Sequence, residues 1–399
     1  MKVLFLMLSL PDEINSSNLY LDLALEFRDN NHEVYIIAPT NENQETGLFN
    51  ERDIQVLRVN TFKQKNVKSV FMKGMAQLLL PFQYKSSYKK FLYDVNFDLV
   101  LMPTPPITLT KLVLYIKKET NAIFYLILRD IYPQGAADIG LVKSKFMYQF
   151  LRYLEIKTYK NADIIGCMSQ GNIDYILKNN SYINSKKLTL LANWQKVDKL
   201  NDSIIDVRKK YQLENKYIVL FGGTIGYAQK VENIELLANQ YRDNEQIVFL
   251  VIGNGVKKKY LQGLISASQL SNVIFMDNLP RNEYMNFVKS SDIGLITIDE
   301  RFTVPTIPSK TVSYLSLKLP VLAIIDQHTD YGKIIDKAGA GFWSVGGDNK
   351  SLFANFDKMY LDEKLRIQQG ESGYQYFLNN LTSDIAYTQI IAQINSIIK

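Results

Sequence analysis

The sequence predicts an α/β chain built of two doubly wound, parallel-sheet domains of the Rossmann kind, facing each other across a cleft. Three observations predict it. Short apolar runs of strand length alternate with amphipathic stretches of helical spacing. The alternation restarts after residue 195. Strands in the second half run straight into glycine-rich turns.

In the first half, Val3–Leu8 is an unbroken apolar run, followed by a helical stretch over 17–29 with Leu19, Leu23, Ala24 and Phe27 on one face. Val34–Ala38, Leu99–Met102 and Ile123–Leu128 are further short apolar runs with helical segments between them. Continuous rather than alternating apolar character is what a sheet covered on both faces requires. In the second half the strands are read at Tyr217–Phe221, Ile247–Ile252, Val273–Phe275, Ile293–Thr297 and Val321–Ile325. The polar stretch 193–206 reads as the linker. The expected domains are 1–195 and 196–380. A C-terminal helix over 381–399 is expected to return to the first domain.

The chain has 399 residues, 47% of them hydrophobic and 22% charged, which is globular and long enough for two cores. A net charge of +6, spread along the chain, does not argue for nucleic acid. The single cysteine, Cys167, lies in an apolar run and excludes an internal disulfide, which suits a reducing, cytoplasmic setting. The apolar N-terminus has one lysine and an early Pro-Asp-Glu stop, so a buried first strand fits better than a signal peptide. No window approaches about 18 uninterrupted apolar residues, so no spanning helix is expected. Two scattered histidines, His32 and His328, leave no zinc site, and no metal is expected.

One segment is unusual. Residues 61–93 hold seven lysines (63, 65, 68, 73, 85, 89 and 90) and no acid, interleaved with Phe62, Val70, Phe71, Leu78 and Phe82. A basic, apolar helix suits the anionic surface of a membrane. A solvated helix with one core-facing side reads the same way.

Four motifs carry candidate chemistry. Phe221-Gly222-Gly223-Thr224 and Gly253-Asn254-Gly255 each follow a strand, where glycine lets the backbone approach a phosphate; a plain structural turn is the alternative at both. Pro308-Ser309-Lys310-Thr311 opens a helix. Ser309 is a candidate cap, and Lys310 at a helix start is unfavourable unless an anion lies there. Arg129-Asp130 ends a strand of the first domain, either in the cleft or as a structural ion pair.

Taken together these segments resemble family 4 of the retaining glycosyltransferases, of GT-B fold, and most closely the branch found in bacterial O-antigen and capsule clusters. The resemblance rests on Asn31-His32-Glu33-Val34, Pro103-Thr104-Pro105-Pro106, Arg129-Asp130-Ile131-Tyr132-Pro133, Gly223-Thr224-Ile225-Gly226-Tyr227-Ala228-Gln229, Gly253-Asn254-Gly255 and Pro308-Ser309-Lys310, in that order. It implies a UDP-sugar donor on Gly222, Gly223, Thr224, Gln229, Gly253, Asn254, Gly255, Asn278, Leu279, Pro308, Ser309, Thr311 and Ser313. It implies an acceptor near Asn15, Ser17, Asn18 and Thr104, with Arg129, Asp130 and Lys310 in catalysis. Two glutamates that the wider family places eight positions apart are replaced here by Pro305 and Ser313.

The expected activity is retaining, metal-independent transfer of an N-acetylated amino or deoxyamino hexose. The donor is a UDP-sugar and the acceptor a polyprenyl-diphosphate-linked saccharide, reached from the cytoplasmic face of a membrane. The rivals are a UDP-sugar 2-epimerase of the same fold, against which the poverty in histidine counts, and a degenerate sugar-nucleotide-binding subunit, which the missing glutamates would suit.

Overall fold

Among the described residues, eight strands make the first sheet and six the second. The structure, a computed structural model, describes residues 1–11, 18–40, 44–62, 70–197 and 207–398, with only the backbone at 70–74 and 398. Asn15, Ser17, Lys63, Lys65, Lys68 and residues 198–206 of the expected linker lie outside the described residues, as does the Lys73 side chain.

The chain divides into two compact units. The first comprises Met1–Ala137, Val142–Ala192 and Ser383–Lys399; the second comprises Asp138–Leu141 and Asn193–Thr382.

The first sheet contains β1 (Lys2–Leu6), β2 (Glu33–Pro39), β3 (Gly47–Glu51), β4 (Ile54–Val59), β5 (Leu99–Thr104), β6 (Ile123–Leu128), β7 (Ile164–Cys167) and β8 (Leu188–Leu190), in the order β3-β4-β2-β1-β5-β6-β7-β8. Its pairings are parallel apart from β3 on β4. Val3, Leu4, Leu6, Leu99–Met102 and Phe124–Ile127 are almost wholly buried, as central strands covered on both faces must be. β3 and β4 went unread in the sequence. They form an edge hairpin whose two turn residues, Arg52 and Asp53, both take positive φ (55° and 58°). Buried Arg58 of β4 holds this edge, giving Nε and Nη2 to the two carboxylate oxygens of Glu51 at 2.8 and 2.7 Å.

The helix Ser383–Ile398 packs on Leu19–Asp29 within this unit. The Tyr387 ring meets Phe27 edge-on at 4.9 Å, its hydroxyl lies 2.9 Å from His32 Nε2, and the Ser383 hydroxyl donates to Glu26 at 2.7 Å. Cys167 is a buried free thiol.

The second sheet, β9 (Tyr217–Gly222), β10 (Ile247–Ile252), β11 (Val273–Met276), β12 (Ile293–Thr297), β13 (Val321–Ile325) and β14 (Gly341–Val345), is parallel in the order β11-β10-β9-β12-β13-β14. The order reverses between β9 and β12. Ligands of such sheets bind at this reversal, beyond the carboxyl ends of the strands. The core on one face joins Val219, Phe249, Val251, Ile234, Leu237 and Phe356. Among the described residues no helix is long and apolar enough to cross a membrane.

Candidate functional site

The two glycine turns of the second unit form one structure. The Gly223 N–H donates to Ile252 C=O at 2.9 Å, Gly253 N–H to Met276 C=O at 3.1 Å, and Ile225 N–H to Asn254 C=O at 3.0 Å. A Cβ at Gly253 would stand 1.9 Å from the Gly223 carbonyl oxygen, and one at Gly255 would stand 2.2 Å from that of Ile225. Gly223 is glycine for another reason: its φ is +99° with open space around it, a backbone conformation other residues resist. Gly223, Thr224, Asn254 and Gly255 remain exposed, so the fused turns offer backbone to a ligand.

Gln229, expected at the diphosphate, is tied into the turn itself. Its side-chain oxygen accepts the Gly226 N–H at 3.1 Å, and its carbonyl accepts the Thr297 hydroxyl. Lys258, unread in the sequence, pins the neighbouring turns: the three N–H groups of Nζ are shared among Gly253 C=O (3.0 Å), Met276 C=O (3.2 Å), Asn254 Oδ1 (3.1 Å) and Asp277 Oδ1 (2.6 Å). Its signal was a lysine three residues past Gly255, one helical turn from the Gly-Asn-Gly carbonyls. A cavity of about 430 Å³ opens here between Asn254, Lys258, Gln262, Phe275 and Asp277. Asn278 follows on the surface and Leu279 is half-buried.

The helix Lys310–Leu315 is bolted to the first turn through Tyr314, another residue the sequence reading missed. The Tyr314 hydroxyl accepts the Gly222 N–H at 3.1 Å and donates to Leu220 C=O at 3.3 Å. Three expectations at this helix are corrected. Ser309 makes no cap hydrogen bond, because its backbone is already helical (φ −67°, ψ −26°) and a capping side chain needs an extended one. Thr311 is buried against the Tyr331 hydroxyl at 2.6 Å, and the Ser313 hydroxyl donates to Gln195 Oε1 at 2.9 Å, so both are committed within the unit. Lys310 is not an open counter-charge. The residue is half-buried, but its ammonium nitrogen is closed to solvent, lies 3.7 Å over the Phe221 ring and has no hydrogen-bond partner. Burial pushes it down to about 7. Pro308 is half-buried beside it.

In the first unit, β6 delivers Arg129 and Asp130. Arg129 is buried; its Nη1 donates to Leu191 C=O at 3.1 Å, its backbone N–H to the Thr104 hydroxyl at 3.2 Å, and its guanidinium bonds Tyr20. Thr104, expected to touch an acceptor, is 2% exposed and so shapes the Arg129 turn instead. The Asp130 side chain reaches water, but packed atoms around it strip solvation and push its carboxyl up to about 6, against the pull of Arg129. Asn18 caps the helix Leu19–Asp29, accepting the N–H groups of Tyr20 and Leu21 at 3.0 and 2.9 Å. Among the described residues no three His, Cys, Asp or Glu side chains gather as a metal set would.

Residues 203–376 match the family described as glycosyl transferases group 1. The chain is 24% identical over 312 residues, 75% of its length and 74% of the relative's, to WbjE of Pseudomonas aeruginosa, named as a probable glycosyltransferase. It is 22% identical over 227 residues, 55% of each chain, to WcaI of Escherichia coli (strain K12), named for colanic acid biosynthesis. The solved structure of HepE of Anabaena in complex with UDP superposes with a TM-score of 0.69 over 99% of this chain and all of that one, at 13% identity. Such likenesses show the GT-B fold.

Proposed function

We propose that this chain, whose residues 203–376 form a glycosyl transferases group 1 domain, is a retaining, metal-independent glycosyltransferase of family 4 type acting in bacterial polysaccharide assembly. Its donor is a UDP-linked N-acetylated amino or deoxyamino hexose, and its acceptor a polyprenyl-diphosphate-linked saccharide of an O-antigen or capsule. The observation that carries the reading is the fusion of the glycine turns into one surface at the sheet reversal, with Gly223, Thr224, Asn254 and Gly255 exposed. Backbone N–H groups there suit the diphosphate of a departing nucleotide, and Lys310, whose buried nitrogen lies over Phe221 at the base of the same turn, supplies charge once it is protonated. Leaving-group oxygen takes the acceptor proton, so no strong protein base is required. Asp130 orients the acceptor, and Arg129 holds Asp130's turn in place.

The membrane part of the reading has two supports. The helix Val70–Phe91 exposes Leu78 and Phe82 beside Lys89 and Lys90. The helix Lys145–Asn161 exposes Phe146 (78%), Phe150 and Tyr153 at i, i+4 and i+7, next to Lys143 and Lys145.

The experiment is a panel of UDP-sugars offered with lipid-linked acceptors and read by mass spectrometry, with and without EDTA. One sugar mass added to the acceptor in both arms supports the reading. Interconversion of the donor without acceptor, or loss of activity in EDTA, refutes it. Vesicle binding unchanged by K85E/K89E/K90E and by F146S/F150S/Y153S removes the membrane part.

A further inference from the structure

Among the described lysines only Lys310 has an ammonium nitrogen that is buried and unpartnered. The elements packed around its helix bring it no compensating charge. Tyr314 on the same helix, Tyr284 on Arg281–Ser290 and Tyr331 on Tyr331–Ala338 are kept neutral by burial. Glu283 and Lys289 of Arg281–Ser290 stand in solvent. Asp292, just before β12, takes Arg208, and Asp299, just past its end, takes Arg301. Asp326, past β13, accepts the N–H groups of His328 and Thr329 on Oδ1; its Oδ2 is buried without a partner and burial raises its carboxyl, so it too favours the neutral form, and Glu371 on Glu363–Asn380 takes Lys318. What faces the Lys310 nitrogen is the ring of Phe221.

Phe221 is also the residue that runs into Gly222-Gly223, and Tyr314 ties the lysine's own helix to Gly222. The buried nitrogen therefore lies against the base of the turn that the proposed function gives to the diphosphate. An amine sits there at low cost, and an ammonium does so only when a negative charge arrives beside it.

We propose that Lys310 is a proton-loaded latch for the donor: an amine in the empty site, it takes one proton from solvent when a nucleoside diphosphate binds and returns it when the diphosphate leaves. The balance is simple. Lys–NH₂, a solvent proton and the diphosphate anion become Lys–NH₃⁺ paired with a phosphate oxygen. The proposal rests on the donor reading above and adds that binding and protonation are one event.

The test is calorimetry of UDP-N-acetylglucosamine and UDP binding in two buffers of different ionisation enthalpy. The sugar nucleotide has no phosphate group titrating near neutrality, so it reports the protein alone. At about pH 8 the wild type is expected to take up close to one proton per ligand, with affinity weakening by about tenfold in all between about pH 8 and 10. K310M and K310R are expected to show no uptake, the arginine because it is always charged. Carbon-13 NMR of the lysine ε-carbons adds an arm that needs no variant: the Lys310 resonance should titrate about two units higher with ligand than without. Binding without proton uptake in the wild type, an uptake that persists in K310M, or a resonance unmoved by ligand overturns the latch. Absence of binding by either nucleotide overturns the donor reading itself, and the latch with it.

Discussion

Gly253 and Gly223 are in contact through their backbones: a β-carbon at 253 would lie 1.9 Å from the carbonyl oxygen of Gly223. The neighbour is a peptide oxygen at the end of β9, held by the sheet, and it cannot swing aside as a side-chain tip would.

Gly253→Ala should therefore cost about 3 kcal/mol of stability, at the upper end of overpacking penalties, and loosen both turns together. Gly263→Ala is the control. It lies in the helix Lys258–Ala267 with nothing within 4 Å of the added carbon, and should stabilise by about 0.5–1 kcal/mol. Urea unfolding of the two variants measures the contrast. Equal effects would mean that the turns are not locked as described.

Lys310 makes stability depend on pH. Its folded value, about 7, is far below the ordinary lysine value, so the unfolded chain binds the extra proton between the two. The stability withheld by the buried charge is thus fully missing below about pH 7 and is recovered as pH rises toward about 10. Lys310→Met should be more stable than the wild type at pH 6.5, with the gap closing by pH 9.5. In the transfer assay Lys310→Ala should lower turnover on the order of 10²–10³. Melting curves that run parallel across the range, or a turnover loss under about threefold, would refute the two roles separately.

Asp130 has the opposite sign. Its carboxyl is raised to about 6, so the folded state holds the proton that the unfolded chain has already released. That contribution is fully present below about pH 4 and is lost as pH rises through 6. Asp130→Asn, permanently neutral, should flatten the fall in melting temperature between pH 4 and 6.5. It should also remove the rise in transfer activity that ionisation near pH 6 gives the wild type. A variant whose activity profile keeps that rise would take Asp130 out of the acceptor step.

Strands such as Ile123–Leu128 and Ile247–Ile252 were legible because a parallel strand buried on both faces is an apolar run. β4, β8 and β14 went unread, and so did β3. Its sequence, Gly47-Leu48-Phe49-Asn50-Glu51, lies on an exposed edge, and its hairpin turn uses Arg52 and Asp53 where Asn-Gly would have announced it. The glycine turns could be read one at a time, but not their fusion, since Gly223 and Gly253 meet only through strand pairing. Lys310 was legible as a lysine in tension with a helix start. Its direction was not, because six residues of helix leave the side chain's face to be set by what packs there, here Phe221. Thr311 and Ser313 read as ligand contacts because hydroxyls at a site look alike in sequence whether they point to Tyr331 and Gln195 or outward.

The C-terminal helix offers a prediction independent of the donor site. Tyr387 meets the rest of the first unit in two ways, through its ring on Phe27 and through its hydroxyl on His32 Nε2. Burial lowers the His32 value, so the ring stays neutral at physiological pH and the contact is a neutral hydrogen bond. Tyr387→Phe keeps the ring and loses the bond, which should cost about 1 kcal/mol. Tyr387→Ala loses both, and from this half-buried position should cost about 2–3 kcal/mol. In a double-mutant cycle with His32→Ala, the hydroxyl and the imidazole should couple by about 0.5–1.5 kcal/mol. A coupling near zero would show that the helix is held by its apolar face and by Ser383 on Glu26, with the histidine contact incidental.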